Sequence, residues 1–306
     1  MTDRLMLLDS ASLYFRAFYG VPDRFHAPDG TPVNAVRGFL DMIARLVSEF
    51  EATHLVACWD DDWRPEWRVR LIPSYKTHRV AEAVLEGTDV EQIPDPLAVQ
   101  VPIIVEALAL LGIVRAGAAE HEADDVIGTL ATGAGLPVDI VTGDRDLFQL
   151  VDDSASVRVV YTARGMNRLQ LVTESYISEK YGVTAAQYAD FAVMRGDVSD
   201  GLRGVAGVGE KTAASLLQQY GGLAHIRAAA LDEATAMSAS VRGTLTVAAE
   251  YLDVAPRVVC VVRDLPLEVG DTRLRCPSGQ YRARLQTFGQ RWGLGQSVSR
   301  ILAVLE

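Results

Sequence analysis

LMLLD, Leu5 to Asp9, sets four apolar side chains in a row and stops on an acid. The same design returns in HLVACWD (54 to 60), more weakly in GIVRAG (112 to 117), and again in VDIVTGD (138 to 144). Short apolar runs bounded by turn residues read as strands buried on both faces. Between them lies helical periodicity, clearest in VNAVRGFLDMIARLVSEF (33 to 50), where Val36, Phe39, Leu40, Ile43, Leu46 and Val47 follow a 3.6-residue repeat. Strands alternating with such helices predict βαβ units and a parallel sheet, an α/β fold. Ligands of open parallel sheets sit beyond the carboxyl ends of the strands. Here those ends carry Asp9, Asp60 and Asp144 on one rim. An Asp after a strand also serves as an ordinary helix N-cap or turn residue, but three at one rim favour a shared site.

Other acids at turns or helix starts extend that rim. EHEADDVIG (120 to 128) supplies Glu122, Asp124 and Asp125, TGDRDLFQL adds Asp146 beside Asp144, and RGDVSDG brings Asp197 and Asp200. Glu122 and Asp125 are i,i+3 neighbours of like charge, a repulsion that a helix dipole relieves only in part. The five histidines (His26, His54, His78, His121, His225) are scattered and no thiol joins the acids. An all-oxygen donor set suits Mg2+ or Mn2+ and not structural zinc. Two such ions about 3.5 to 4 Å apart form the clamp used in phosphodiester hydrolysis. DRDLFQLVDD lacks the Gly and Glu of an EF-hand loop. No GxSxG elbow is present, and Glu210 between Gly209 and Lys211 breaks a P-loop reading.

The chain has 306 residues, 49% hydrophobic and 23% charged, enough for one large domain or two. MTDRLMLLDS carries too short an apolar run for a signal peptide, and VPIIVEALALLGIV is interrupted by Glu106, so a soluble, cytoplasmic protein is expected. Cys58, Cys260 and Cys276 lie far apart without a CxxC and read as reduced core residues. A net charge of −11 weighs against a nucleic-acid partner unless basic residues are concentrated locally.

They are concentrated in two places. Residues 60–79, DDDWRPEWRVRLIPSYKTHR, hold Arg64, Arg68, Arg70, Lys76 and Arg79, and Trp59, Trp63 and Trp67 cluster at the start. Interleaved cations and aromatics suit a single strand, with bases stacked and phosphates tracked; buried tryptophans with solvated arginines are the plainer alternative. AEAVLEGTDVEQIPDP, which follows, is acidic and Pro-broken, and the whole span reads as a mobile insertion. In GVAGVG (204 to 209), followed by EKTA, closely spaced glycines expose backbone N–H groups before a helix N-terminus. Gly204, Gly207, Gly209, Lys211 and Thr212 there can dock a phosphate without reading bases. From about residue 173 the pattern is helical, RVVCVV (257 to 262) predicts a late strand returning to the sheet, and RLQTFGQRWGLGQSVSRILAVL reads as closing helices.

These segments resemble the bacterial 5′-nuclease family, the 5′ to 3′ exonuclease or flap endonuclease that also forms the N-terminal module of DNA polymerase I. The resemblance runs through LLDSASLYFRAF, VNAVRGF, SYKTHR, EADDVIGTLA, VTGDRDLFQLV, GDVSDGLRGVAGVGEKTA and DLPLEV. It implies a PIN-like α/β nuclease core over 1–172 with a helical arch or clamp at about 64–100. It further implies a helical helix-two-turn-helix DNA-binding domain over 173–256, holding K+ through hairpin carbonyls, and a strand and helices over 257–306 that pack back on the core. By motif, Asp9, Asp60, Glu122 and Asp124 gather the first metal, with Asp125 bound directly or through water. Asp144, Asp146, Asp197 and Asp200 serve the second, and Lys76 and Arg79 on the arch approach the scissile phosphate. Tyr14, Arg16 and Tyr19, with Arg64 and Arg68, become DNA contacts.

The implied activity is structure-specific 5′ to 3′ exonuclease or 5′-flap endonuclease action by a monomer with Mg2+ or Mn2+. Its substrates would be flaps, strand junctions and 5′ ends, RNA-primed ends included, in DNA replication and repair. One departure stands in DDDWRPEWR, where Trp67 replaces the usual phenylalanine and three acids compete for one place; strand phase favours Asp60 over Asp61 and Asp62. A PIN-type ribonuclease is disfavoured because such domains lack the glycine hairpin, and a non-catalytic DNA-binding protein because no acid of the motif is missing.

Overall fold

The computed structural model describes residues 3–84 and 88–306. The opening run forms β1 (Leu5–Asp9), and Asp9 ends it by capping α1 (Ser10–Gly20). Helix α2 (Asn34–Phe50) turns its 3.6-residue stripe inward, and β2 (His54–Cys58) follows. The span expected to arch over the site is only partly helical. It contains α3 (Glu66–Leu71), a 3-10 turn at Thr77–Arg79, an antiparallel ribbon of β3 (Val80–Glu82) and β4 (Val90–Glu91), and α4 (Asp95–Ala98). Residues 85–87 of the acidic stretch lie outside the described residues.

Next come α5 (Val101–Leu111), β5 (Val114–Ala116), α6 (Ala123–Thr132) and β6 (Val138–Thr142). Two strands that the apolar pattern did not announce complete the sheet, β7 (Val157–Tyr161) and β8 (Gln170–Val172). Arg158 interrupts the apolar run of β7, and its Nε pairs with buried Asp139 Oδ1 at 2.6 Å. The six strands run β5-β2-β1-β6-β7-β8, parallel except for the last pair.

Alternate side chains of the strands supply two cores. Leu5, Leu7, Val56 and Cys58 face one way, and Met6, Leu8, Leu55 and Ala57 the other. The first core continues through α6 into α7 (Glu174–Tyr181), α8 (Tyr188–Arg195), α9 (Glu210–Tyr220), α10 (Leu223–Leu231), α11 (Ala239–Val247) and α12 (Ala249–Val259). On the second, α1, α2 and α5 are joined by α13 (Gly279–Arg291) and α14 (Gly295–Leu305).

The strand expected over 257–262 is not formed, because the chain continues α12 through Val259. Pro256 has no N–H for the carbonyl of Leu252, and Arg227 Nη1 donates there at 3.3 Å. The helix end is held by Arg68 Nε, 3.1 Å from Val258 O, and Gln149 Nε2, 3.0 Å from Val259 O. Contact with the sheet comes later, where Leu55 N donates to Thr272 O at 2.9 Å and Leu274 N to Thr53 O at 2.8 Å. Of the cysteines, Cys58 is in the core, Cys276 is half-buried and Cys260 is exposed, which corrects the expectation for the last. Among the described residues no helix is long and apolar enough to cross a membrane.

Candidate active site

Strands β1, β2 and β6 lie side by side, and the acids that follow them meet at one rim. Asp9, Asp60, Glu122, Asp124 and Asp144 line a cleft of about 240 Å3 together with Lys76 and Arg79. The strand ends are stitched to one another. Thr142 Oγ1 donates to Asp9 Oδ2 at 2.7 Å and accepts from Asp144 N at 2.9 Å. Asp60 Oδ1 accepts from Ala123 N at 2.8 Å, which brings the start of α6 over the end of β2. Asp61 pairs instead with Arg115, and Asp62 accepts from Arg64 N at 3.1 Å, so of the three only Asp60 enters the cleft. Glu91 also lines it, turned in by the β3–β4 ribbon. Nothing in the local sequence distinguishes Glu91 from the other acids of its stretch.

The acids crowd one another. Burial, with Asp60 next in effect, raises Asp9 to a pKa of about 7. Asp124 is pushed well above the usual carboxylate range by burial and then by Asp144, Asp9 and Glu122. Burial likewise raises Asp60, Asp146 and Asp200. Cations within the chain answer part of this charge: Lys76 Nζ stands 2.5 Å from Glu122 Oε2 and Arg79 Nη2 3.2 Å from Asp200 Oδ1. Arg195 and Arg145 hold Asp197 Oδ2 at 3.3 and 3.7 Å.

Among the described residues no such pair reaches Asp9, Asp60, Asp124, Asp144 or Asp146, and Asp146 Oδ1 is buried without a hydrogen-bond partner. A buried, unpaired carboxylate is costly, and hard divalent cations ligated by oxygen fit this donor set. The fit is one of donor chemistry and charge. Among the described residues no three acids already converge at metal-ligand spacing, since Glu122 is engaged by Lys76 and Tyr75 and Asp9 by Ser12 and Thr142.

Of the second group of acids only Asp144 lines the cleft, and Asp146, Asp197 and Asp200 stand outside its lining. Asp146 N donates to Asp144 Oδ1 at 2.8 Å, and the turn carrying Asp200 lies against the turn carrying Lys76, whose N donates to Asp200 O at 3.0 Å. Gly201 permits that approach, since a Cβ there would sit 2.1 Å from Ser74 O. Gly196 and Gly204 pack backbone to backbone, both at positive φ (79° and 65°). Gly207 and Gly209 face open space, and Gly209 precedes α9 as an N-cap with no side chain to offer, with Lys211 exposed and Thr212 half-exposed.

Several expected contacts are elsewhere. Asp125 is fully buried, absent from the cleft, and gripped by Arg68, whose Nη1 and Nη2 each lie 2.7 Å from one of its oxygens. Neither the metal-ligand role for Asp125 nor the DNA contact for Arg68 survives this burial. Arg64 is also spent inside, on Tyr75 O at 2.6 Å, Thr77 Oγ1 at 3.1 Å and Asp89. Trp59 and Trp63 are buried and Trp67 is half-buried, so the aromatic run does not form an open stacking surface. Tyr14 packs on Trp59 at 5.7 Å between ring centroids and is buried, while Tyr19 is exposed. Arg16 stands beside Gly143 of the cleft, its buried Nε without a partner.

Residues 4–182 match the family model described as 5′-3′ exonuclease, N-terminal resolvase-like domain, and residues 183–281 the one described as 5′-3′ exonuclease, C-terminal SAM fold. The chain is 58% identical over 301 residues to a 5′-3′ exonuclease of Streptomyces coelicolor, covering 98% of this chain and 99% of the relative. It is 40% identical over 275 residues to DNA polymerase I of Mycobacterium bovis, covering 89% of this chain and 28% of that protein. Among solved structures it is similar in fold to T5 5′-exonuclease with bound zinc ions (TM-score 0.64, 19% identity, 99% of this chain and 100% of that one). A similar match is to the catalytic core of Rad2 in complex with DNA substrate (TM-score 0.62, 16% identity, 100% and 93%).

Proposed function

The chain belongs to the 5′-3′ exonuclease family, and from that premise we propose that it is a divalent-cation-dependent 5′ nuclease acting on DNA flaps, strand junctions and 5′ ends. The observation that carries the reading is the cleft itself: Asp9, Asp60, Glu122, Asp124 and Asp144, from separate segments, on one rim with Lys76 and Arg79. Asp9, Asp60, Glu122 and Asp124 would hold one ion, and Asp144 with Asp146, Asp197 and Asp200 a second. Mg2+ or Mn2+ bound there would activate water and stabilise the leaving oxygen.

The chain's own residues supply position and charge. Lys76 and Arg79, at the cleft, meet the non-bridging oxygens of the scissile phosphate, where fixed positive charge is worth most in a water-poor site. Arg16, beside Gly143, and exposed Tyr19, both on α1, would contact the DNA. The glycine hairpin and the uncapped start of α9 take the duplex backbone through N–H groups, with Lys211 beside them, so recognition is of shape and not of sequence. K+ at the hairpin carbonyls, monomeric action, and work in the cytoplasm on replication and repair intermediates, RNA-primed ends included, complete the proposal.

The test is a 5′-labelled flap substrate with Mg2+, Mn2+ or chelator. Asp124→Asn and Asp144→Asn are expected to lose at least the ~10–100-fold that an outer-shell partner costs, with duplex binding retained. Unchanged turnover in both variants would sink the assignment. One long labelled product means endonuclease action and mononucleotides mean exonuclease action, and an RNA flap of equal sequence discriminates a ribonuclease.

A further inference from the structure

Arg68 joins three elements at one point. Its Nε donates to Val258 O at 3.1 Å at the end of α12, its Nη1 and Nη2 hold the Asp125 carboxylate of α6 at 2.7 Å each, and it springs from α3. Asp125 in turn accepts from Val262 N at 2.8 Å and from Glu122 N at 3.3 Å, the latter closing the capping box at the start of α6. Arg68 Nη1 is 3.5 Å from Glu122 Oε1, which also accepts from Tyr75 Oη at 2.7 Å. Neither Arg68 nor Asp125 lines the cleft, yet the carboxylate of Glu122 does. A bidentate fork of this kind is directional in a way that a lysine or a single hydrogen bond is not.

We propose that Arg68 and Asp125 are positioning residues of the nuclease: their buried fork sets the backbone and side chain of Glu122 and thereby the affinity of the cleft for a divalent cation. This rests on the nuclease reading above. A buried ion pair adds little net stability, because desolvation offsets the attraction. Its effect here is to aim Glu122 while tying the clamp segment, the metal-side helix and the end of the helical domain together. The simpler possibility is a staple between α3 and α12, in which case metal affinity would merely follow stability.

Two variants separate these roles. Arg68→Leu with Asp125→Leu removes both charges and leaves no uncompensated ion in the core, whereas Arg68→Lys keeps the charge and loses the fork. Mn2+ is titrated calorimetrically into wild type and both variants without DNA, alongside melting curves and steady-state flap cleavage. Both variants are expected to bind Mn2+ ~10–100-fold more weakly, the range for groups that orient metal ligands. The turnover number should fall in parallel and KM for the flap should hold. Arg68→Lys is expected to melt near wild type while its metal affinity falls. The double variant also leaves Val262 N and Glu122 N without their acceptor, so it is expected to melt lower, and should it fail to fold Arg68→Lys alone carries the comparison. Wild-type Mn2+ affinity in either folded variant, or an affinity that tracks melting temperature across the set, overturns the inference while leaving the nuclease reading intact. A wild type that binds no Mn2+ and leaves the flap uncut overturns both.

Discussion

Asp9 uses its two oxygens for two different purposes. Oδ1 caps α1 by accepting from Ser12 N at 3.1 Å, and Oδ2, fixed by Thr142, lies in the acidic cleft. Burial and Asp60 raise its pKa to about 7, against an ordinary value of 3.8. The native state therefore binds a proton that the unfolded state has released, and stability falls as pH rises between these two values. With chelator present, the melting temperature is expected to fall from pH 5 to pH 8, and with Mg2+ the fall should shrink, because the ion favours the ionised carboxylates. A melting temperature independent of pH in chelator would contradict the crowding of these acids. Lys76 shows a second constraint at this scale, a positive φ of 47° in a residue with a side chain, of the kind that clusters at functional sites. Asp9, Asp60 and Asp144 are legible in sequence because each closes an apolar strand. Glu91 and the Arg68–Asp125 fork are not, since their partners are distant in the chain.

Among the elements, the glycine hairpin owes its shape to contact as much as to conformational freedom. A Cβ at Gly204 would lie 2.6 Å from Arg195 O and Gly196 N, whereas one at Gly207 would meet nothing within 4 Å. Gly207→Ala is therefore expected to cost only the left-handed backbone penalty of about 1–2 kcal/mol. Gly204→Ala should cost more and also weaken duplex binding by pushing apart the segments that carry Asp197 and the start of α9. Comparing melting and duplex affinity of the two variants checks this, and equal effects would count against the packing account. Periodicity foretold α2 to within a residue, because a two-faced environment imposes a repeat on every turn. It failed at 257–262, where an apolar β-branched run is equally suited to a buried helix end. The choice went to helix through Arg68, Gln149 and Arg227, which satisfy carbonyls that Pro256 and the helix terminus leave open.

At the level of the whole molecule, the central sheet is covered on both faces, and the last two helices supply part of one cover. Leu285, Phe288, Trp292, Leu294, Val298, Ile301 and Leu302 are buried against the face that also holds α1, α2 and α5. At ~1.5–3 kcal/mol for each large apolar side chain, their loss matches the whole stability of a typical domain, about 5–15 kcal/mol. Removing residues 279–306 is expected to abolish cooperative unfolding, and a urea transition at the wild-type midpoint would refute this. The net charge of −11 misleads for a related reason: it counts forty acids of which six line the cleft, and the cations that matter are placed beside those six by folding. The strand-end acids, the βαβ alternation and the glycine hairpin follow from the sequence alone, since each is a local pattern whose physical demand is met by near neighbours. Only the tertiary structure decided which arginines are buried, that Glu91 enters the cleft, and that Asp125 faces Arg68. Those outcomes depend on desolvation and on partners tens to more than a hundred residues away, which no local pattern encodes.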